Sequence, residues 1–168
     1  LSSDGSIVSI GAGGNNGNGG DSGHVRVYQY DVNKTTSDTD QSSNDYGPVG
    51  WRRLGHDIDG EVGSDFSGYR LSLSSDGTIV AIGARGNDGN GSNSGHVRVF
   101  QNNSGTWSQL GSDIDGESAN EYSGYSVSLS SDGLTLAISA IMNNGNGTQS
   151  GHVRVYKYNG SSWSQFGS

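Results

Sequence analysis

Two acidic stretches carry the densest chemistry in the chain. Asp57, Asp59, Glu61 and Asp65 lie close together, and Asp113, Asp115, Glu117 and Glu121 repeat the cluster further on. Hard cations such as calcium bind where carboxylate and carbonyl oxygens gather. Strand alternation would set Asp57 and Asp59 on one face, and Asp113 and Asp115 likewise. Calcium is therefore the one cofactor these residues suggest, with Asp57, Asp59, Glu61, Asp65, Asp113, Asp115 and Glu117 as its ligands. The same pattern also suits a solvated Asp-Gly turn whose charge protects a strand end. EF-hand spacing is absent.

Other polar groups recur in equivalent places. Asn/Gly loops at Asn15–Gly19, Asn87–Gly91 and Asn143–Gly147 could offer amides and carbonyls to calcium or to a sugar, or simply be turns that need left-handed residues. His24, His96 and His152 each stand two residues before an arginine: Arg26, Arg98 and Arg154. Three matching copies argue for packing between units, since an active site is one constellation. Each arginine is expected to pair with a carboxylate, because a buried unpaired guanidinium is costly. His56 alone breaks the pattern, with Ser112 and Ser168 in its place elsewhere. Trp51, Trp107 and Trp163 could stack on sugars if exposed, but read first as apolar anchors at the rim of each unit. Five Asn-X-Ser/Thr sequons, at Asn33, Asn90, Asn102, Asn146 and Asn159, are candidate glycan acceptors.

These residues sit on a repeat. Asp76 and Asp132, Gly95 and Gly151, and Trp107 and Trp163 are each 56 residues apart, as are Trp51 and Trp107. Such a period sets the architecture. Each unit predicts four strands. The first is 69–73 or 125–129, with strict alternation. A Ser-Ser-Asp-Gly hairpin turn follows. The second strand is 6–12, 78–84 or 134–140, and the third is 24–28, 96–100 or 152–156. The fourth is 51–58, 107–114 or 163–168. Connectors 59–68 and 115–124 lead into the next unit. The first unit carries an extra Ser/Asp/Asn/Thr-rich segment, 31–50, with the only proline, Pro48; it reads as a long exposed hairpin loop.

Four antiparallel strands per unit, chained by linkers, are the grammar of a propeller blade. The expectation is an all-β, β-propeller-like array of four-stranded antiparallel blades, a little under three in this chain. The units run 1–68, 69–124 and 125–168. Phe66-Ser67-Gly68-Tyr69, then Ala81-Ile82-Gly83-Ala84, then Gly95-His96-Val97-Arg98-Val99-Phe100 resembles the FG-GAP repeat of integrin α-chain propellers. It is closer still to the FG-GAP repeats of bacterial and protist surface proteins. The resemblance covers nearly the whole chain apart from 31–50. It departs in lacking a proline after Gly-Ala, and in replacing the family's calcium loop between strands one and two by a tight Ser-Ser-Asp-Gly turn. It implies an extracellular or cell-surface protein, structural or adhesive.

Composition narrows the partners. With 17 acidic against 9 basic residues the net charge is −8, which disfavours nucleic acid and anionic membrane. No run of 18 apolar residues predicts a membrane helix. The chain has no cysteine, so redox compartment is not readable. It starts at Leu1 instead of Met, as a processed or partial chain would. Fewer than three units fall short of the roughly four of a small closed propeller. The expected partners are therefore further copies of itself or flanking repeats at open edges, together with glycans. An enzyme would need a unique acid–base pair, and neither 31–50 nor His56 supplies one. The readings carried forward are a non-enzymatic structural or adhesive repeat protein of a larger surface assembly or filament, and a calcium-dependent or lectin-like module.

Overall fold

A computed structural model describes residues 1–43 and 45–167. Among them there is no helix, and the chain forms three antiparallel sheets. The first holds β1 (Ile7–Ala12), β2 (His24–Tyr30), β3 (Trp51–Arg53) and β4 (Ile58–Asp59). The second holds β5 (Arg70–Leu73), β6 (Ile79–Ala84), β7 (His96–Asn103), β8 (Thr106–Gln109) and β9 (Ile114–Asp115). The third holds β10 (Ser123–Leu129), β11 (Thr135–Ala140), β12 (His152–Tyr158) and β13 (Trp163–Gln165). Order within each sheet follows the chain except for β4 and β9, which lie beside β2 and β7, and the registers match: Ile10 faces Arg26, Ile82 faces Arg98 and Ile138 faces Arg154.

Each hairpin turn is built around one aspartate. The Asp76 carboxylate accepts hydrogen bonds from the Ser74 hydroxyl, the Thr78 amide and the Thr78 hydroxyl at 2.7–3.0 Å. Asp4 and Asp132 repeat the arrangement. Burial pushes the Asp76 carboxyl up, but those donors outweigh it and hold it below the ordinary carboxylate value. The Ser6 amide, with the Ser2 and Ser6 hydroxyls, brings Asp4 to about 2.

Alternation sends the two faces of the second sheet to different neighbours. Val80, Ile82 and Phe100 pack with Ile7, Val25, Val27 and Ile58 of the first sheet. Ile79, Ala81, Val97, Val99 and Ile114 pack with Leu136 and Ile138 of the third. The sheets thus stack face to face around two cores, and they do not close on one another. The connectors cross between them in backbone contact. A Cβ at Gly11 would lie 2.1 Å from the Gly68 carbonyl oxygen, and one at Gly83 2.2 Å from that of Gly124. Only glycine permits such an approach.

Two expectations change. The fourth strand is not continuous: it breaks at Gly55 and at Gly111, both with φ near +80°, so that β3 and β4, and likewise β8 and β9, pair separately with β2 and β7. Nor is 31–50 simply an exposed loop. Lys34 is buried and donates to the Asp45 carbonyl. Asp38 bridges Gly47, and Arg52 pairs with Asp31 and Asp45. The Tyr46 ring packs under the Arg26 and Arg53 guanidinium groups at 5.3 and 5.5 Å. The segment therefore lies on the outer face of the first sheet.

Because Asp4, Asp76 and Asp132 all sit below the ordinary carboxylate value of 3.8, their stabilisation is complete above that pH. It fades as pH falls through the lower folded values. Asp76→Asn is expected to lower Tm at neutral pH by about 2–4 °C and to shallow the acid limb in melts followed by circular dichroism. An unchanged acid limb would contradict this role.

Candidate functional site: the histidine–arginine–carboxylate clusters between sheets

In β7, even-numbered residues face the first sheet, so His96 and Arg98 point at the connector that leaves it. Arg98 donates to the Asp59 carbonyl at 2.6 Å, lies 3.5 Å from Glu61 and covers the Phe100 ring at 5.3 Å. One unit later, Arg154 pairs with Glu117. Arg26, on the outer face of the first sheet, takes Asp57 at 2.8–2.9 Å, beside Tyr46 and Gln41. Burial pushes the Asp57 carboxyl up, yet the Arg26 bonds and the charges of Arg26, His24 and Arg53 hold it below its usual value.

Each histidine stands in the same cluster. His24 Nδ1 is 3.9 Å from Asp57. His96 Nδ1 is 3.7 Å from Asp113 and 4.0 Å from Asp115. Among the described residues, ligand-type atoms converge to within 4.8 Å in three groups: His24–Asp57–Asp59, Glu61–His96–Asp113 and Glu117–Glu121–His152. His96 is 1% exposed and its Nε2 has no partner. Burial, then the charge of Arg98, push this imidazole down, so it is neutral. Around Glu117, Glu121, His152 and Arg154 the free space is about 10 Å³, room for one water-sized particle.

The predicted calcium ligands separate into distinct roles. Asp57, Glu61 and Glu117 hold arginines. Asp113 accepts from Gln109 Nε2 at 2.6 Å. Asp59 and Asp115 flank histidines. Asp65 is 1% exposed and accepts from the Val62 amide and from Asn87 Nδ2. Glu121 does the same for the Glu117 amide and Asn143. Calcium takes six to eight oxygens. Here each cluster offers one imidazole nitrogen and few carboxylates, with a guanidinium already set among them. The donor sets suit arginine and do not suit calcium.

The Asn/Gly loops turn inward. Asn15, Asn87 and Asn143 each accept from the glycine amide two residues on. Asn18 and Asn90 donate to the Gly60 and Gly116 carbonyls at 2.9 Å. Of the sequons, Asn90 is thus engaged through the nitrogen a glycan would need, and the Asn102 amide nitrogen is buried. Asn33, Asn146 and Asn159 are exposed. Two of the three tryptophans are inter-sheet fasteners: Trp107 Nε1 donates to the Leu54 carbonyl and Trp163 Nε1 to that of Leu110, both at 2.7 Å. Trp51 stacks edge-on with Tyr30 at 5.5 Å. The sequence marks these residues by their 56-residue recurrence, but it does not mark Leu54 and Leu110 as acceptors, since the contact uses only their backbone.

No protein-family model matches this chain, and no curated protein matches it. The Arg98 and Arg154 clusters tie one sheet to the connector leaving the one before, whereas the Arg26 cluster closes within the first unit on its outer face.

Glu61→Gln is expected to cost about 3 kcal/mol, because it leaves the buried Arg98 guanidinium without its counter-charge. Arg98→Ala removes the buried charge itself and leaves only an exposed carboxylate, so it should cost less, about 1 kcal/mol, mainly from lost packing on Phe100. Urea denaturation measures both, and equal losses would contradict the asymmetry. His96 adds a separate pH limb. Its folded value lies below the unfolded 6.5, so its contribution is full above that pH and is lost as pH falls through the folded value. His96→Asn should flatten this limb and leave the one below pH ~4 intact.

Proposed function

We propose that this chain is a non-enzymatic, extracellular β-propeller-type repeat protein of the FG-GAP kind, structural or adhesive, and one part of a larger surface assembly. The observation that carries the reading is the pair of outer sheet faces. Ile10 is 52% exposed on the first sheet, and Val153 and Phe166 are 66% and 59% exposed on the third. Their counterparts in the second sheet, Ile82 and Val97, are buried beneath neighbours, and Leu110 is half-buried. Apolar surface of this kind marks interaction sites.

The chemistry-bearing residues add support by being already committed. Arg98 and Arg154 hold sheet to sheet through connector carboxylates, and recurring copies of one arrangement favour a structural role over a single catalytic constellation. Exposed Asn33, Asn146 and Asn159 suit a glycosylated surface location. No helix is long and apolar enough to cross a membrane among the described residues.

Light scattering on a sizing column, over a concentration series, tests the reading. The expected result is species heavier than 17.4 kDa, with the same distribution in calcium and in EDTA. A single species at 17.4 kDa throughout would sink it.

A further inference from the structure

The two outer faces carry complementary parts of one docking pattern. Residues that dock one sheet on the next recur on both, in register, without a partner. On the first sheet Val8, Ile10, Tyr28 and Trp51, with Pro48, line an open groove of about 270 Å³. They hold the positions of Val80, Ile82, Phe100 and Trp107, which pack against the preceding sheet. On the third sheet Val153, Val155 and Phe166 hold the positions of Val97, Val99 and Leu110, which pack against the following one.

The fastening points repeat the pattern. At Gly55 a Cβ would come within 2.9 Å of the Trp107 ring, and at Gly111 within 2.9 Å of Trp163, whereas nothing lies within 4 Å of that point at Gly167. Gly77 rests on Ile7 and Gly133 on Ile79, and nothing lies within 4 Å at Gly5. The Ser3 amide donates to the Ser75 carbonyl and the Ser75 amide to that of Ser131. Continued by one unit, that series reaches from Ser131 back to Ser3. Resting on the assembly reading, we propose that the third sheet of one chain docks on the first sheet of a second copy, head to tail. Trp51 Nε1 then donates to the Phe166 carbonyl and lies on Gly167, while Thr135 meets Gly5.

Two features favour a second copy over a further repeat joined through a connector. Ser139 stands at the position of Gly11 and Gly83, where a Cβ would lie 2.1 and 2.2 Å from the carbonyl oxygen of the next connector. Docking through the sheet face alone does not thread that point. On the receiving side, Tyr46 and Gln41 already engage Arg26. They take the place the connector acid Glu61 has beside Arg98, and the apolar groove stays open.

Complementation tests the pairing. Ile10→Asp spoils one face and Val153→Asp the other, both at exposed positions, and unchanged circular dichroism melts of the variants establish that each folds. Each variant alone is expected to run at 17.4 kDa. Their 1:1 mixture should run at twice that mass and no higher, because a heterologous contact with one good face per chain closes after a single pairing. If the wild type associates but both variants associate equally well, the head-to-tail pairing is overturned and the assembly reading stands. A mixture that stays monomeric also overturns it. If the wild type itself never exceeds 17.4 kDa, both fall.

Discussion

Each connector has to leave its sheet in backbone contact with it, and the rest of the structure depends on that passage. Gly11 meets Gly68 and Gly83 meets Gly124 with no room for a Cβ. Parallel bridges from Gly23 to Ser67 and from Gly95 to Ser123 fix the direction of travel. Once the connector is held this close, the next sheet can only lie with one face on the last. Its Ile or Val side chains then fill the gap. Hydrophobic burial stabilises the stack, while the backbone contact decides its spacing.

The polar clusters follow from the same passage. A connector pressed against a sheet brings its carboxylates beside the following strand's histidine and arginine. Burying carboxylate, imidazole and guanidinium together is tolerable only when the charges are matched. Arg98 meets that condition with Glu61 and the Asp59 carbonyl. Arg26, on the outermost face, meets it with Asp57 and with the segment 31–50 folded over it. The insertion thus does locally what a neighbouring unit does elsewhere.

Much of the framework was legible in the chain. Period-2 alternation located the strands, Asp-Gly located the hairpins, and the 56-residue recurrence of Trp107 and Trp163 located the units. That each arginine finds a carboxylate was also legible, because burial demands it. Which carboxylate was not, since Glu61 and Arg98 meet only after two sheets stack. The break at Gly55 and Gly111 was hidden for a related reason: the glycine's left-handed turn makes room for a tryptophan from the next unit, and nothing local announces it. The acidic stretches looked like cation sites because sequence shows the carboxylates together and does not show the guanidinium placed among them.

The fastening of Trp107 to Leu54 and of Trp163 to Leu110 spans the same 53 positions each time. Every interface is therefore written half in one unit and half in the next, with a constant offset. Excising or duplicating a stretch of one period rejoins matching halves of the tryptophan fastening. Genes encoding such a chain can lengthen or shorten by unequal crossing-over within the repeat, and the product inherits complete interfaces wherever glycine stays at the position of Gly11 and Gly83. Array length is then a quantity that recombination can adjust freely, while the geometry between neighbours stays constant.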